Sequence, residues 1–77
     1  MLTQAELNFY GMNPKNIIQR GRRGKITVIL RYDARHSLYV VTRKTPKTSF
    51  EDHYINLLEA KERYLVFLYS TTAELKN

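Results

Sequence analysis

Among the side chains of this chain, thirteen Lys and Arg residues and six tyrosines have the most chemistry to offer, and their spacing decides what kind. Seven of the cations (Arg22, Arg23, Lys25, Arg31, Arg35, Arg43 and Lys44) fall within Gly21–Lys44, together with Tyr32 and Tyr39. Cations on one surface neutralise phosphates, and tyrosine rings stack on bases. A catalytic constellation is harder to assemble. His36 follows Asp33 by three residues, and His53 lies between Asp52 and Tyr54; neither sits in an HxxxH or ExxH pattern or at another metal-ligand spacing. Asp33 and His36 read as loop formers, because Asp makes Asx turns, and His53 reads as a half-exposed polar residue of a helix. The acids do not converge, since Glu51 and Asp52 are neighbours that point apart, and Glu59 and Glu62 stand among Lys61 and Arg63. Gly21-Arg-Arg-Gly24 lacks the Gly-Lys-Ser/Thr sequel of a phosphate loop. The residue types leave a metal-free ribonuclease using His, Arg and Tyr as the one enzymatic alternative, and no spacing points to it. The chain is therefore read as non-enzymatic, with no catalytic residue, metal or cofactor.

The distribution of charge says more than its size. The formal net charge is +6; residues 1–48 carry ten Lys/Arg against Glu6 and Asp33, and residues 49–77 carry three against five acids. A molecule so divided has a basic face, and its natural partners are polyanions: nucleic acid first, DNA or RNA, then anionic lipid or an acidic protein surface. The plain alternative is charge kept for solubility.

Seventy-seven residues make one small basic domain, 1–77, with a modest core. No cysteine is present, so neither a disulfide nor a thiolate metal site supports that core, and oligomerisation is the remaining common remedy. The longest apolar run, Tyr64–Tyr69, has six residues, against roughly 20 for a membrane-spanning helix. The N-terminus lacks the basic and apolar regions of a secretory signal. A soluble, cytoplasmic protein is expected.

The elements that position these residues follow from periodicity. Thr3-Gln-Ala-Glu6 has capping-box spacing and Gly11 supplies a stop, which predicts a short helix over about residues 3–10. Asn13-Pro14 is a second helix start, with Ile17 and Ile18 as its apolar face; the competing reading makes Ile17–Arg20 an edge strand turning at Gly21–Gly24. The short helix is preferred. Lys25–Tyr32 alternates, with Ile26, Val28, Leu30 and Tyr32 on one face, and Leu38–Lys44 forms a second strand beyond the Asp33–Ser37 loop. Two registers are available. With Tyr32 opposite Leu38, the core face gains Val40, and Arg31, Tyr39 and Arg43 point outward. A one-residue slip pairs Tyr32 with Tyr39 and puts Arg43 under the core face beside Val28. Burying that charge is costly, so the first register is expected. In the expected register, Arg20, Arg22, Arg23 and Lys25 converge with Arg43, Lys44 and Lys47 at one end, and the contact site placed there depends on Tyr32 lying opposite Leu38.

After Pro46, Ser49 or Thr48 caps a helix that would run to about Ser70, with Phe50, Tyr54, Leu57, Leu58, Leu65 and Leu68 as its apolar stripe. Such a helix is roughly 33 Å long, against a radius of gyration of roughly 11–12 Å for the domain. Its all-round apolar end, Tyr64–Tyr69, would overhang the core. Either a second subunit covers Tyr64, Leu65, Phe67 and Leu68, or the run is a third strand; the helix is preferred. The expected class is α+β: short N-terminal helices, an antiparallel hairpin or three-stranded sheet, and a long C-terminal helix packed on it.

A basic antiparallel sheet followed by a helix resembles, in topology alone, the three-stranded DNA-binding domains of integrases and AP2-type proteins, and no site is carried over from them. The expected function is nucleic-acid binding by a homodimer, through Arg20, Arg22, Arg23, Lys25, Arg31, Tyr39, Arg43, Lys44 and Lys47. The alternative is an adaptor or inhibitor of phage or mobile-element type that docks on another, acidic protein through its apolar C-terminal segment.

Overall fold

The computed structural model describes residues 16–75. The short helix expected over residues 3–10 lies outside them. Four strands come first: β1 (Ile17–Arg23), β2 (Ile26–Asp33), β3 (Leu38–Lys44) and β4 (Ser49–Tyr54). Helix α1 (Leu57–Tyr69) and the single turn α2 (Thr72–Leu75) follow. The strands form one antiparallel meander in the order β1-β2-β3-β4, with α1 packed across one face. The class is α+β, and the Cα radius of gyration is 11.8 Å.

Three expectations are corrected. Residues 17–20 are strand, not helix: β-branched Ile17 and Ile18 lead into a two-residue turn, Gly24-Lys25, with Arg23 paired to Ile26. Gly24 takes φ +62°, as such turns require at their first central position. Ser49–Tyr54 is strand β4, not the start of a helix. Phe50, Asp52 and Tyr54 alternate with Ser49, Glu51 and His53, and Thr45–Thr48 closes a hairpin rather than a connector. There Thr45 N donates to Thr48 O (3.0 Å), and Thr45 Oγ1 accepts from Thr48 N (3.0 Å) and Lys47 N (3.3 Å). The helix therefore starts at Asn56, whose Oδ1 accepts from Leu58 N (2.7 Å) and Glu59 N (3.4 Å), the bonding of an N-cap. With 13 residues, α1 is about 20 Å long, so the overhang that called for a second subunit does not arise.

The third correction concerns register. Val28 lies opposite Arg43, Leu30 opposite Val41 and Tyr32 opposite Tyr39, one residue from the expected pairing. Every β3 side chain thereby changes face. Tyr39, Val41 and Arg43 turn toward α1, and Val40 and Thr42 turn away with Ile29. The core under the helix joins Val28, Leu30 and Val41 to Ala60, Tyr64, Phe67 and Leu68. Ile29, Val40 and Thr42, on the opposite face, are also buried.

The slipped register was disfavoured because it buries Arg43, and Arg43 is indeed only 1% exposed. The cost is met by the helix. Its last carbonyls have no partner further along it and form the negative end of its dipole, and its last turn holds no cation of its own. Arg43 Nε donates to Phe67 O (2.9 Å), one terminal nitrogen to Ser70 O (3.1 Å) and the other to Thr72 Oγ1 (3.1 Å). A charge that is prohibitive in an apolar core becomes a cross-link between β3 and the end of α1.

Candidate functional site

Hairpin topology carries the cations to one end of the sheet whichever register holds. The β1–β2 turn and the β3–β4 turn both lie there, and the Ala34–Ser37 loop lies at the other. The outermost row across the strands is Arg22, Thr27, Lys44 and Ser49, and the next on the same face is Arg20, Ile29, Thr42 and Glu51. Both rows lie on the face away from α1. Lys25 and Lys47 occupy the two bordering turns. Arg20, Arg22, Lys25 and Lys47 are exposed, and among the described residues none of them forms an ion pair. Lys44 is half-buried between them.

The other sequence-predicted binding residues are placed differently. Arg31 lies a further row from this end; it is half-buried, with a terminal nitrogen 4.0 Å from Glu51 Oε1. Tyr39 packs on the helix side of the sheet, 5.1 Å from Tyr32 between ring centroids. Arg43 holds the helix end. Arg23 lies at the cationic end but on the helix side: its Nε donates to Leu68 O (2.8 Å) and its guanidinium stands 5.7 Å from the centre of the Tyr69 ring. Burial first, and the neighbouring Arg23 charge second, hold Arg43 below the ordinary guanidinium value; a group this basic remains charged at neutral pH.

The expected oligomer contacts need the same revision. Tyr64, Phe67 and Leu68 are buried in the chain's own core, and Leu65 alone of the four is exposed, at 52%. The helix buries positions 60, 64, 67 and 68 and so leaves Leu58, Leu65, Val66 and Tyr69 on its outer side. Reading 64–69 as uniformly apolar hides this. Counting at 100° per residue puts Tyr69 outward once the structure has placed Ala60 against the sheet, so the sequence alone could not single it out.

Both histidines are exposed and engaged with carboxylates. His53 lies on β4, not on a helix, with Nε2 2.9 Å from Glu51 Oε2. His36 Nδ1 is 2.8 Å from Asp33 Oδ2, and Asp33 Oδ1 accepts from Arg35 N (3.1 Å) and His36 N (3.4 Å). This is the Asx-type loop expected of Asp33. The His36 ring is the main cause that holds the Asp33 carboxyl below its ordinary 3.8. A lowered carboxyl pKa stabilises the loop above the ordinary value, and that contribution is lost as the pH falls through the lowered one. The Arg35 and His36 amide resonances should therefore titrate with a midpoint below 3.8; a midpoint at or above it would show that the ring contact is not formed in solution.

Among the described residues, no group of three or more His, Cys, Asp or Glu could hold a metal ion, and no helix is long and apolar enough to cross a membrane. An open groove of about 270 Å³ lies along α1 between Tyr54, Glu59, Glu62, Arg63 and Val66. Its cation is already matched: Arg63 Nε donates to Tyr54 Oη (2.8 Å) and lies 3.3 Å from Asp52 Oδ2. Compared with known proteins, the chain matches no family model, and no curated protein or solved structure matches it to a significant degree.

Proposed function

We propose that this protein is a non-enzymatic nucleic-acid binder that grips phosphates with the turn-bearing end of its sheet. The observation that carries the reading is the cluster Arg20, Arg22, Lys25 and Lys47: exposed, brought to one end by two turns, and without ion pairs among the described residues. A charge kept for solubility is best interspersed with acids. Here the acids Glu51, Asp52, Glu59 and Glu62 line β4 and α1, where Arg31 and Arg63 stand beside two of them, and the four cations of the cluster lie on β1 and in the two turns.

Anisotropy titration of DNA and RNA oligonucleotides at several salt concentrations tests this. Four phosphate contacts give a slope of log K on log salt of about −3 to −4. The Arg22→Ala/Lys25→Ala double variant should flatten that slope by about 1 to 2 and keep the wild-type melting temperature, because both side chains are exposed. Undetectable binding at low salt, or binding indifferent to salt, would reject the reading.

One observation favours a second reading, an adaptor that docks on another protein. Leu58, Leu65 and Tyr69 are exposed by 66%, 52% and 64% on the outer side of α1, and contiguous exposed apolar surface marks interaction sites. The alternative gains if the oligonucleotide titration is flat and a partner captured by the protein is lost on Leu58→Glu/Leu65→Glu.

A further inference from the structure

The cationic end has a second side. Arg22 and Arg20 face away from the helix, whereas Arg23 faces it, and there it meets Tyr69. The tyrosine is the last residue of α1; the residue is 64% exposed, and the Arg23 guanidinium stands 5.7 Å from the centre of its ring. Arg23 uses only Nε in a hydrogen bond among the described residues, to Leu68 O, so its two terminal nitrogens keep their donors. Behind it lies Arg43, whose hydrogen-bond partners are two carbonyls and a hydroxyl. Two guanidinium charges therefore stand close together, and among the described residues neither has a carboxylate partner. The partial negative charge of the helix end offsets only part of this.

We infer that Arg23 and Tyr69 form a stacking shelf for single-stranded nucleic acid, with a base on the open face of the Tyr69 ring and an adjacent phosphate on Arg23. This rests on the nucleic-acid reading above and specifies its substrate. The shelf suits an unpaired base for a geometric reason. A ring that projects from the end of a helix offers its π-face, and within a duplex the faces of the bases are already stacked on each other. Stacking of this kind tolerates any base, so the site discriminates strandedness rather than sequence. The remaining described aromatics cannot serve in its place: Phe50, Tyr54, Tyr64 and Phe67 belong to or pack on the core, and Tyr32 and Tyr39 pack against one another.

The test compares a labelled single-stranded oligonucleotide with the duplex of the same sequence, using wild type, Tyr69→Ala, Tyr69→Phe and Arg22→Ala/Lys25→Ala. Tyr69→Ala should weaken single-strand binding by about fivefold or more and leave duplex binding within about twofold. Tyr69→Phe, which keeps the ring, should behave as wild type. Melting curves confirm that Tyr69→Ala is folded, as expected for a side chain this exposed. If Tyr69→Ala leaves single-strand affinity unchanged, or weakens both forms equally, while Arg22→Ala/Lys25→Ala still lowers binding, the shelf is overturned and the phosphate-gripping end stands. If wild type binds neither form, both readings fall together.

Discussion

Replacing Arg43 by methionine is expected to lower the unfolding free energy by about 3 kcal/mol or more, one of the largest effects any single substitution here should produce. Methionine is of similar length, so the change removes charge and donors without opening a large cavity. Three charge-assisted bonds are lost, each worth about 1.5–3 kcal/mol when a charged group is involved. They share one side chain, so their losses do not add. The carbonyls of Phe67 and Ser70 are left without their cationic partner at a helix end that has no cation of its own. For a domain of this size the melting temperature falls by about 4–8 °C per kcal/mol, so a drop of about 12 °C or more is expected. Lysine at the same position can make one point contact where the fork makes three, and Arg43→Lys should lose most of the same stability. A thermal or denaturant midpoint for Arg43→Met close to wild type would show that the guanidinium is not what ties β3 to α1.

The second large effect is expected at Gly21. It is not a question of backbone freedom, because φ there is not positive; it is one of space. A β-carbon at Gly21 would collide with the Tyr64 hydroxyl oxygen and come within 3.2 Å of Leu68 Cδ2 and 3.3 Å of Tyr64 Cζ. Tyr64 is only 3% exposed and packs in the core under α1, which leaves its ring little room to yield. Gly21→Ala should therefore cost about 1–3 kcal/mol, the usual penalty for overpacking a core. The cause is specific, so it can be checked by rescue. Tyr64→Phe deletes the colliding oxygen, and Gly21→Ala/Tyr64→Phe should be less destabilised than the sum of the single variants, as coupled neighbours are. Strict additivity in denaturant unfolding would mean that α1 does not approach β1 this closely.

The two residues illustrate how differently parts of the molecule could be read. The α+β class and the core face of β2 were legible, because alternation in Ile26–Tyr32 is a local property of the chain. The cationic end was legible for a topological reason: consecutive antiparallel strands return Lys44 to the neighbourhood of Lys25 whatever the register. The loop-forming role of Asp33 was legible because an Asx turn needs only nearby backbone amides. Strand β4 was also open to view, in the alternation of Phe50, Asp52 and Tyr54 after a Thr-Pro-Lys-Thr turn, but the same residues fit a helical stripe and periodicity over six residues could not separate the two.

The face of β3 was decided by tertiary structure alone. The sequence makes Arg43 an outward residue, since an arginine beside Val28 has no partner within either strand. Its partners are the carbonyls at the end of α1, some 24 to 27 residues further along the chain, and the cost of burial changes only once that helix end is in place. The exposure of Tyr69 was decided in the same way, by which side of α1 the sheet claims. Composition and local pattern thus determined that the chain is a small basic α+β domain with its cations gathered at one end. Packing of the helix decided which of those cations remain at the surface and which one is spent inside, because the cost of burying a charge depends on acceptors that the local sequence does not contain.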